Sequence, residues 1–139
     1  MSIVGGCLCG ETRYEIAGNS VSAVNCYCSM CRKAHGTALS THAVFTPSRL
    51  TWICGESNLV RFESSAAGRR EFCRHCGSHL LVHGQSGDGT LAIPAGTFDG
   101  SPEVKIVAHI FTSECVSWHN ISDDLPQHVG WPDGFGPES

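Results

Sequence analysis

The chain contains nine cysteines in 139 residues, and their spacing limits what it can fold into more than any other feature. Because nine is an odd number, the cysteines cannot all pair as disulfides. The first ten residues, MSIVGGCLCG, have neither the charged start nor the apolar run of a signal peptide, so we expect a cytoplasmic protein with reduced thiols. Clustered thiols in a reducing compartment are typical of metal ligands. The sequence therefore predicts that most of these cysteines bind metal.

Four of the cysteines form two closely spaced pairs. Cys7 and Cys9 lie in GGCLCGE, and Cys73 and Cys76 lie in FCRHCGS. A glycine follows each pair directly and can adopt the positive φ that a tight turn around a metal requires. Four thiolates together make the closed tetrahedral site of a structural zinc. Such a site would tie the start of the chain to its middle.

A third group, CYCSMC, places Cys26, Cys28 and Cys31 within six residues. Three protein ligands with a fourth position for an external ligand are typical of a catalytic zinc. The following SMCRKAH favours a short helix that begins at Ser29. Its first N–H groups would face the thiolates and lower their pKa values. We therefore predict two zinc ions per chain, one structural and one catalytic.

Other interpretations of the third group stay open at this point. A histidine such as His35, His42 or His79 could close the site and make it structural. Iron also binds sulfur-rich tetrahedral sites, although seven ligands divided into four and three favour zinc. A thioredoxin-like redox motif at CSMC would need a surrounding βαβ pattern, which the sequence lacks. The two isolated cysteines, Cys54 and Cys115, are expected to be small apolar fillers at strand ends.

The remaining pattern predicts a mainly β domain of several short antiparallel strands, spanning residues 1–139 with a loosely ordered tail at about 129–139. In ETRYEI, Thr12, Tyr14 and Ile16 alternate with charged residues, which is typical of a half-buried strand. Turn-like separators divide the other predicted strands, which are VSAVN, ALSTHAVF, LTWIC, NLVRFES, HLLVHG, TLAIPAG and VKIVAHIF.

The charge and hydropathy of the chain argue against two classes of partner. The formal net charge is −4 and there is no basic cluster of the size that nucleic-acid binding requires. No apolar run approaches the roughly 20 residues that span a bilayer. We expect small-molecule partners, with neither nucleic acid nor membrane among them.

Five segments together resemble the glutathione-dependent formaldehyde-activating enzyme family, which also includes centromere protein V. The resemblance extends from Gly5 to Gln127, and its segments are GGCLCGETRY, CYCSMCRKAHG, FCRHCGSHL, HIF with Trp118 beyond it, and DDLPQ. It implies a β-tent fold with two zinc sites. The four paired cysteines match the family's structural zinc ligands, and the cysteines of CYCSMC match its catalytic ones. Position 27 is commonly histidine in the family and is Tyr27 here.

The resemblance implies a carbon–sulfur lyase that reversibly adds glutathione to formaldehyde and forms S-hydroxymethylglutathione. Tyr27 and His35 are the nearest candidates for handling the proton of this reaction, with a structural turn histidine as the alternative for His35. Glutathione carries two carboxylates, so cations should bind it. The candidates, for which solvated surface charge is the alternative, are Arg32, Lys33, Arg69 and Arg70. The competing interpretation of the whole chain is a non-catalytic, zinc-stabilised binding module.

Overall fold

The computed structural model describes residues 1–65, 68–83 and 89–132. It contains ten strands, one α-helix and four short 3₁₀ turns. The helix α1 spans Ser29–His35, and the 3₁₀ turns are Pro47–Arg49, Glu56–Asn58, Ala95–Thr97 and Thr112–Glu114. The strands are β1 Ser2–Gly6, β2 Arg13–Ala17, β3 Ser20–Cys26, β4 Ser40–Phe45, β5 Leu50–Cys54, β6 Leu59–Glu63, β7 Arg69–Cys73, β8 His79–His83, β9 Leu91–Pro94 and β10 Glu103–Ile110.

The strands form two sheets. A three-stranded sheet has the order β1-β2-β5, and a seven-stranded sheet has the order β10-β3-β4-β9-β8-β7-β6. Strands β3 and β10 pair in parallel, whereas the other pairs of named strands are antiparallel. The prediction of a mainly β fold of several short antiparallel strands is therefore confirmed, and β3 with β10 is the one parallel pair among the named strands. Parallel neighbours cannot be joined by a hairpin, and most of the chain lies between these two strands.

Local patterns identified most of the strands and the single helix. Thr12, Tyr14 and Ile16 are all fully buried, as the alternation in ETRYEI predicted. Helix α1 occupies SMCRKAH, as expected, and Gly36 ends it in the left-handed conformation with φ 66°. Strand β7, with the sequence RREFC, was not predicted as a strand. Its two adjacent arginines interrupt the alternation of polar and apolar residues, and its last residue, Cys73, was assigned to a metal-binding turn.

The main core lies between the two sheets, with Tyr14 at its centre. The Tyr14 hydroxyl hydrogen-bonds the hydroxyl of Thr97, and its ring makes an edge contact with Trp52 at a centroid distance of 6.1 Å. A Cβ on Gly5 would lie 2.5 Å from the Tyr14 hydroxyl oxygen, so only glycine fits opposite this ring. The close packing of β1 on β2 thus depends on a missing side chain.

A second, smaller cluster surrounds the three cysteines of CYCSMC. Ile110 at the end of β10 is buried in it, and Val24, Phe111 and Trp131 pack against it. The C-terminal segment reaches this cluster by pairing with β10, since His109 and Gln127 form a parallel bridge and the Phe111 amide donates to the carbonyl of Gly130. Of the predicted loose tail, residues 129–132 thus belong to this described segment, and 133–139 lie outside the described residues. Among the described residues, no helix has the length and apolar character to span a membrane.

Candidate active site and metal centres

The two cysteine pairs come together as one cluster between the sheets. Cys7 and Cys9 follow β1 of the smaller sheet, and Cys73 and Cys76 end β7 and begin the turn to β8 of the larger sheet. Their four sulfurs lie within 4.8 Å of one another. The Sγ atoms of Cys7 and Cys9 are 3.5 Å apart, and those of Cys9 and Cys73 are 3.8 Å apart. Tetrahedral zinc with Zn–S bonds of about 2.3 Å needs sulfurs about 3.8 Å apart, so the cluster fits a zinc ion.

Each pair has the backbone conformation of a metal-binding turn. Gly10 and Gly77 have φ values of 80° and 79°, which confirms the expected use of glycine after each pair. The amide of Thr12 donates to the sulfur of Cys7 at 3.4 Å, and the amide of His75 donates to the sulfur of Cys73 at 3.4 Å. Such N–H donors favour the thiolate form, which is the form that binds metal.

The other three cysteines also converge. The sulfurs of Cys26, Cys28 and Cys31 lie within 4.8 Å of one another, and all three residues are buried. Cys28 is the N-cap of α1, and its sulfur accepts a hydrogen bond from the Cys31 amide at 3.3 Å. Hydrogen bonds with Cys26 and Cys31 lower the pKa of Cys28. Hydrogen bonds with Cys28 and Cys31 raise the pKa of Cys26. Three buried thiols this close cannot all ionise without a cation, so the donor set suits a metal.

Three histidines lie beside this second cluster without joining it. No histidine nitrogen of the described residues belongs to the group of three sulfurs. His35 and His42 approach each other with Nε2 atoms 3.4 Å apart, and the rings of His35 and His79 have centroids 4.9 Å apart. Burial lowers the pKa of His35 to about 4 and that of His42 to about 3, so both rings are neutral near pH 7. The structure thus gives no support to a histidine as the fourth ligand.

A buried arginine provides positive charge at the same place. Arg70 is only 2% exposed, and its Nη2 donates to the sulfur of Cys31 at 3.5 Å. Its Nε and Nη1 have no hydrogen-bond partner among the described residues. A buried guanidinium always carries its charge and is costly to leave unpaired, so these two nitrogens are available to donate to an anionic ligand beside the cysteines.

The other predicted cations make their described contacts with groups other than the three sulfurs. Arg32 uses its Nε to donate to the Tyr27 carbonyl at 3.3 Å, and Lys33 is exposed on the last turn of α1. Arg69 precedes Arg70 on β7 and so points to the opposite face of the sheet. The pKa of His83, which pairs with Arg69, is lowered mainly by burial and also by the charge of Arg69. Of the four predicted cations, only Arg70 has a hydrogen bond to a cysteine sulfur among the described contacts.

Tyr27 lies between two of the cysteines and makes its own contacts elsewhere. Its hydroxyl is 2.9 Å from Nδ1 of His109, and Nε2 of His109 is 2.9 Å from Oδ1 of Asp123. Since the Asp123 carboxylate accepts from Nε2–H, Nδ1 is the acceptor and the Tyr27 hydroxyl donates to it. Sequence reasoning did not identify His109 and Asp123, because the residues that reach Tyr27 lie 82 and more positions away.

The isolated cysteines lie outside both clusters. Cys54 ends β5, as expected for a strand end, but it is exposed and its thiol donates to the carbonyl of Glu11. Cys115 is half-buried. The expectation of an apolar filler is therefore wrong for Cys54, because β5 is the edge of the small sheet and its end faces solvent.

Comparisons with known proteins agree with these clusters. The family model described as "Glutathione-dependent formaldehyde-activating enzyme" matches residues 2–114. Two curated proteins, one from Aspergillus flavus and one from Aspergillus oryzae, are each 32% identical over 77 residues and are provisionally named as glutathione-dependent formaldehyde-activating enzymes. Each match covers 54% of this chain and 40% of the relative, so the chain spans less than half the length of these proteins.

A solved structure shares the fold. The crystal structure of a Rhodobacter sphaeroides protein superposes with a TM-score of 0.60 at 24% identity, covering 70% of this chain and 89% of that one. At this identity the likeness concerns the fold alone.

The four-cysteine cluster predicts a large effect on stability. We expect Cys73→Ser to lose one metal ion per chain and about 3 kcal/mol or more of folding free energy, because metal binding at such a site is coupled to folding. For a chain of this size the melting temperature should fall by about 10 °C. Thermal unfolding and elemental analysis measure both quantities. Cys54→Ser is the matched control, and loss of metal from that variant with an unchanged Cys73→Ser would contradict the assignment.

The Tyr27 hydroxyl predicts a separate effect. Tyr27→Phe leaves the buried Nδ1 of His109 without a donor, so the free energy of unfolding in urea should fall by about 1–3 kcal/mol. Tyr14→Phe removes a similarly buried hydroxyl far from the three cysteines and should cost a similar amount. If Tyr27→Phe retains its stability but loses more than about 100-fold in activity, Tyr27 is the proton donor of the reaction instead.

Proposed function

The chain belongs to the glutathione-dependent formaldehyde-activating enzyme family, and from this premise we propose that it is a zinc-dependent carbon–sulfur lyase. Its reaction is the reversible addition of glutathione to formaldehyde. Cys7, Cys9, Cys73 and Cys76 would hold a structural zinc, and the three cysteines of CYCSMC would hold a catalytic one. The observation that carries the proposal is the buried Arg70, whose unpaired donors lie beside a three-sulfur cluster that suits a metal.

The chemistry is an addition in which all atoms are retained. The sulfur of glutathione forms a bond to the carbonyl carbon, the π electron pair moves to the carbonyl oxygen, and the proton that the thiol gave up ends on that oxygen. A zinc bound by Cys26, Cys28 and Cys31 would supply Lewis-acid chemistry that favours the thiolate form of the substrate near neutral pH. The protein's own groups must hold the two reactants together, bind the negative charge and move the proton.

Arg70 is suited to bind the negative charge. Its two unpaired N–H groups lie in a buried site where a charged hydrogen bond is stronger than in water. The charge passes from the attacking sulfur to the carbonyl oxygen during the addition, and a donor already in place needs no reorganisation to follow it. We assign Arg70 to this role in place of the predicted one, in which it was one of four cations that bind the carboxylates of glutathione.

His35 is suited to move the proton. It lies one helical turn after Cys31, so both side chains share one face of α1. Burial lowers its pKa to about 4, so the ring is neutral near pH 7 and one nitrogen can accept a proton and return it to the oxygen, although the same low pKa makes it a weak base. His42 and His79 contact His35 and extend the same buried group. Tyr27 is committed to His109 and positions the loop between two ligands.

The peptide part of glutathione would lie outside the buried site. Arg32 and Lys33 occupy the last turn of α1, where they are available to the two carboxylates of the tripeptide. We propose that the reaction takes place in the cytoplasm, where glutathione is reduced and the nine cysteines of the chain do not form disulfides. Residues 1–139 act as one domain in this proposal.

Exchange NMR of glutathione with formaldehyde tests the function directly. The two compounds combine spontaneously, so the measured quantity is the rate of exchange at equilibrium with and without protein. We expect zinc-loaded wild type, with two zinc ions per chain, to accelerate exchange, and Cys28→Ser to retain one zinc and lose about 100-fold or more of the acceleration. Cys115→Ser is the control, because it removes a cysteine that lies outside both clusters.

Two outcomes would contradict the proposal. A wild-type protein with two zinc ions that leaves the exchange rate unchanged would exclude glutathione and formaldehyde as the substrate pair. A Cys28→Ser variant that retains both zinc ions and full acceleration would exclude the three-cysteine cluster as the site.

The role of Arg70 gives a second prediction in the same assay. Arg70→Met should lower kcat/KM by about 100-fold, the usual cost of removing one donor to a developing negative charge, while Arg70→Lys should recover part of the loss. Arg69→Met is the neighbouring comparison on the opposite face of β7, and its loss should be the smaller of the two. An equal or greater loss in Arg69→Met would contradict the assignment.

A further inference from the structure

An apolar cavity adjoins the three-cysteine cluster. It has a volume of about 480 Å³, and Cys26 and His42 are among the residues that line it. This volume falls in the range of about 300–1,000 Å³ that is typical of small-molecule sites. A water molecule, with one heavy atom, occupies about 30 Å³ in the liquid. Formaldehyde has only two heavy atoms, so it would leave most of the cavity unfilled.

The lining of the cavity is mostly hydrocarbon. Strand β3 contributes Val24, β4 contributes Val44, β9 contributes Ala92 and β8 contributes Val82. These positions are neighbours across the sheet, since Val44 pairs with Ala92 and Ala92 pairs with Val82. None of the described residues that line the cavity is a lysine, an arginine or an acid. The cavity therefore does not suit glutathione, which carries two carboxylates and an ammonium group.

Two further elements close the cavity from the side. Val107 lies at the irregular position of β10 between Ile106 and Ala108, where the register with β3 shifts, and it lines the cavity while 48% exposed. Bulges of this kind redirect a side chain next to an active site. Trp131 in the C-terminal segment provides a large apolar surface opposite the sheet and makes an edge contact with Phe111 at a centroid distance of 5.2 Å.

We propose that this cavity binds the hydrocarbon group of a larger aldehyde, so that the site prefers an aldehyde with an alkyl or aromatic substituent of medium size over formaldehyde. The inference rests on the proposed function and names the substrate class of the same site. An aldehyde whose hydrocarbon group fills the cavity has its carbonyl group at the end where Cys26 and His42 lie. Glutathione then adds to this carbonyl by the same balanced step, with the new carbon–sulfur bond formed and the thiol proton transferred to oxygen. The product is a hemithioacetal.

The dependence of rate on chain length tests the inference. Burial of one methylene contributes about 0.8 kcal/mol, which is about a fourfold gain, so acceleration of glutathione exchange should be at least about tenfold greater for hexanal than for propanal. Ala92→Phe fills the cavity and should remove this preference. Val44→Phe fills it from the neighbouring strand and serves if the first variant folds poorly. Ala17→Phe is the matched control, since the same side chain is then placed on an exposed end of the small sheet.

A binding measurement separates this inference from the proposed function. Hexan-1-ol cannot form a hemithioacetal, and its binding should change the fluorescence of Trp131 in a saturable way. Trp131→Phe should remove the signal, and Ala92→Phe should weaken binding by about tenfold. Propan-1-ol should bind more weakly than hexan-1-ol.

The outcomes are distinct. If formaldehyde, propanal and hexanal are accelerated equally in wild type, or if Ala92→Phe retains the preference for hexanal, the inference is overturned and the proposed function stands. If no aldehyde is accelerated but hexan-1-ol binds in an Ala92-dependent way, the proposed function fails and the apolar site is supported. Absence of saturable hexan-1-ol binding overturns the inference irrespective of activity.

Discussion

The four-sulfur cluster is the contact on which the two sheets depend. Cys7 and Cys9 belong to the turn after β1, whereas Cys73 ends β7 and Cys76 lies in the turn after it, so one ion bound at this place would join sheets whose strands share no ladder hydrogen bonds. Closing a loop of this length costs only a few kcal/mol of chain entropy, while a structural metal site returns more than that. If a metal ion fixes this end of the two sheets, the core around Tyr14 can remain small.

The reactive end of the molecule uses the larger sheet in a different way. Strand β3 ends at Cys26, and the chain passes through Cys28 into α1, so a strand end and a helix start supply all three sulfurs. Arg70 and His42 reach the same place from β7 and β4, two strands outside the segment that contains the three cysteines. The positive charge of Arg70 and the neutral ring of His42 are thus held by sheet pairing, whereas the three cysteines are held by the local backbone.

This difference explains what the sequence could predict. The ligand groupings, the glycines after the cysteine pairs, the helix at Ser29 and the buried face of β2 all follow from residues within a few positions of one another. The parallel pairing of β3 with β10, the contact of Tyr27 with His109 and the contact of Arg70 with Cys31 join residues separated by 39 to 84 positions. Such pairings depend on the order of strands in the sheet, and one sequence contains no direct signal for that order. The strand at RREFC was missed for a related reason, because a buried arginine looks like a surface residue until its partner is known.

The residues that line the apolar cavity come from two parts of the chain, one inside and one outside the region that the family model matches. The family description accounts for residues 2–114, which include both cysteine clusters, the buried arginine and the sheet floor, but His128, Trp131 and Pro132 lie beyond it. These residues are held to the end of β10 and the turn that follows by backbone hydrogen bonds and by the ring contact of Trp131 with Phe111, and no cysteine of the two clusters belongs to their segment. In the proposed enzyme, a change in this segment would alter the wall of the cavity, and with it the preferred aldehyde, while leaving all seven cysteines of the two clusters in place.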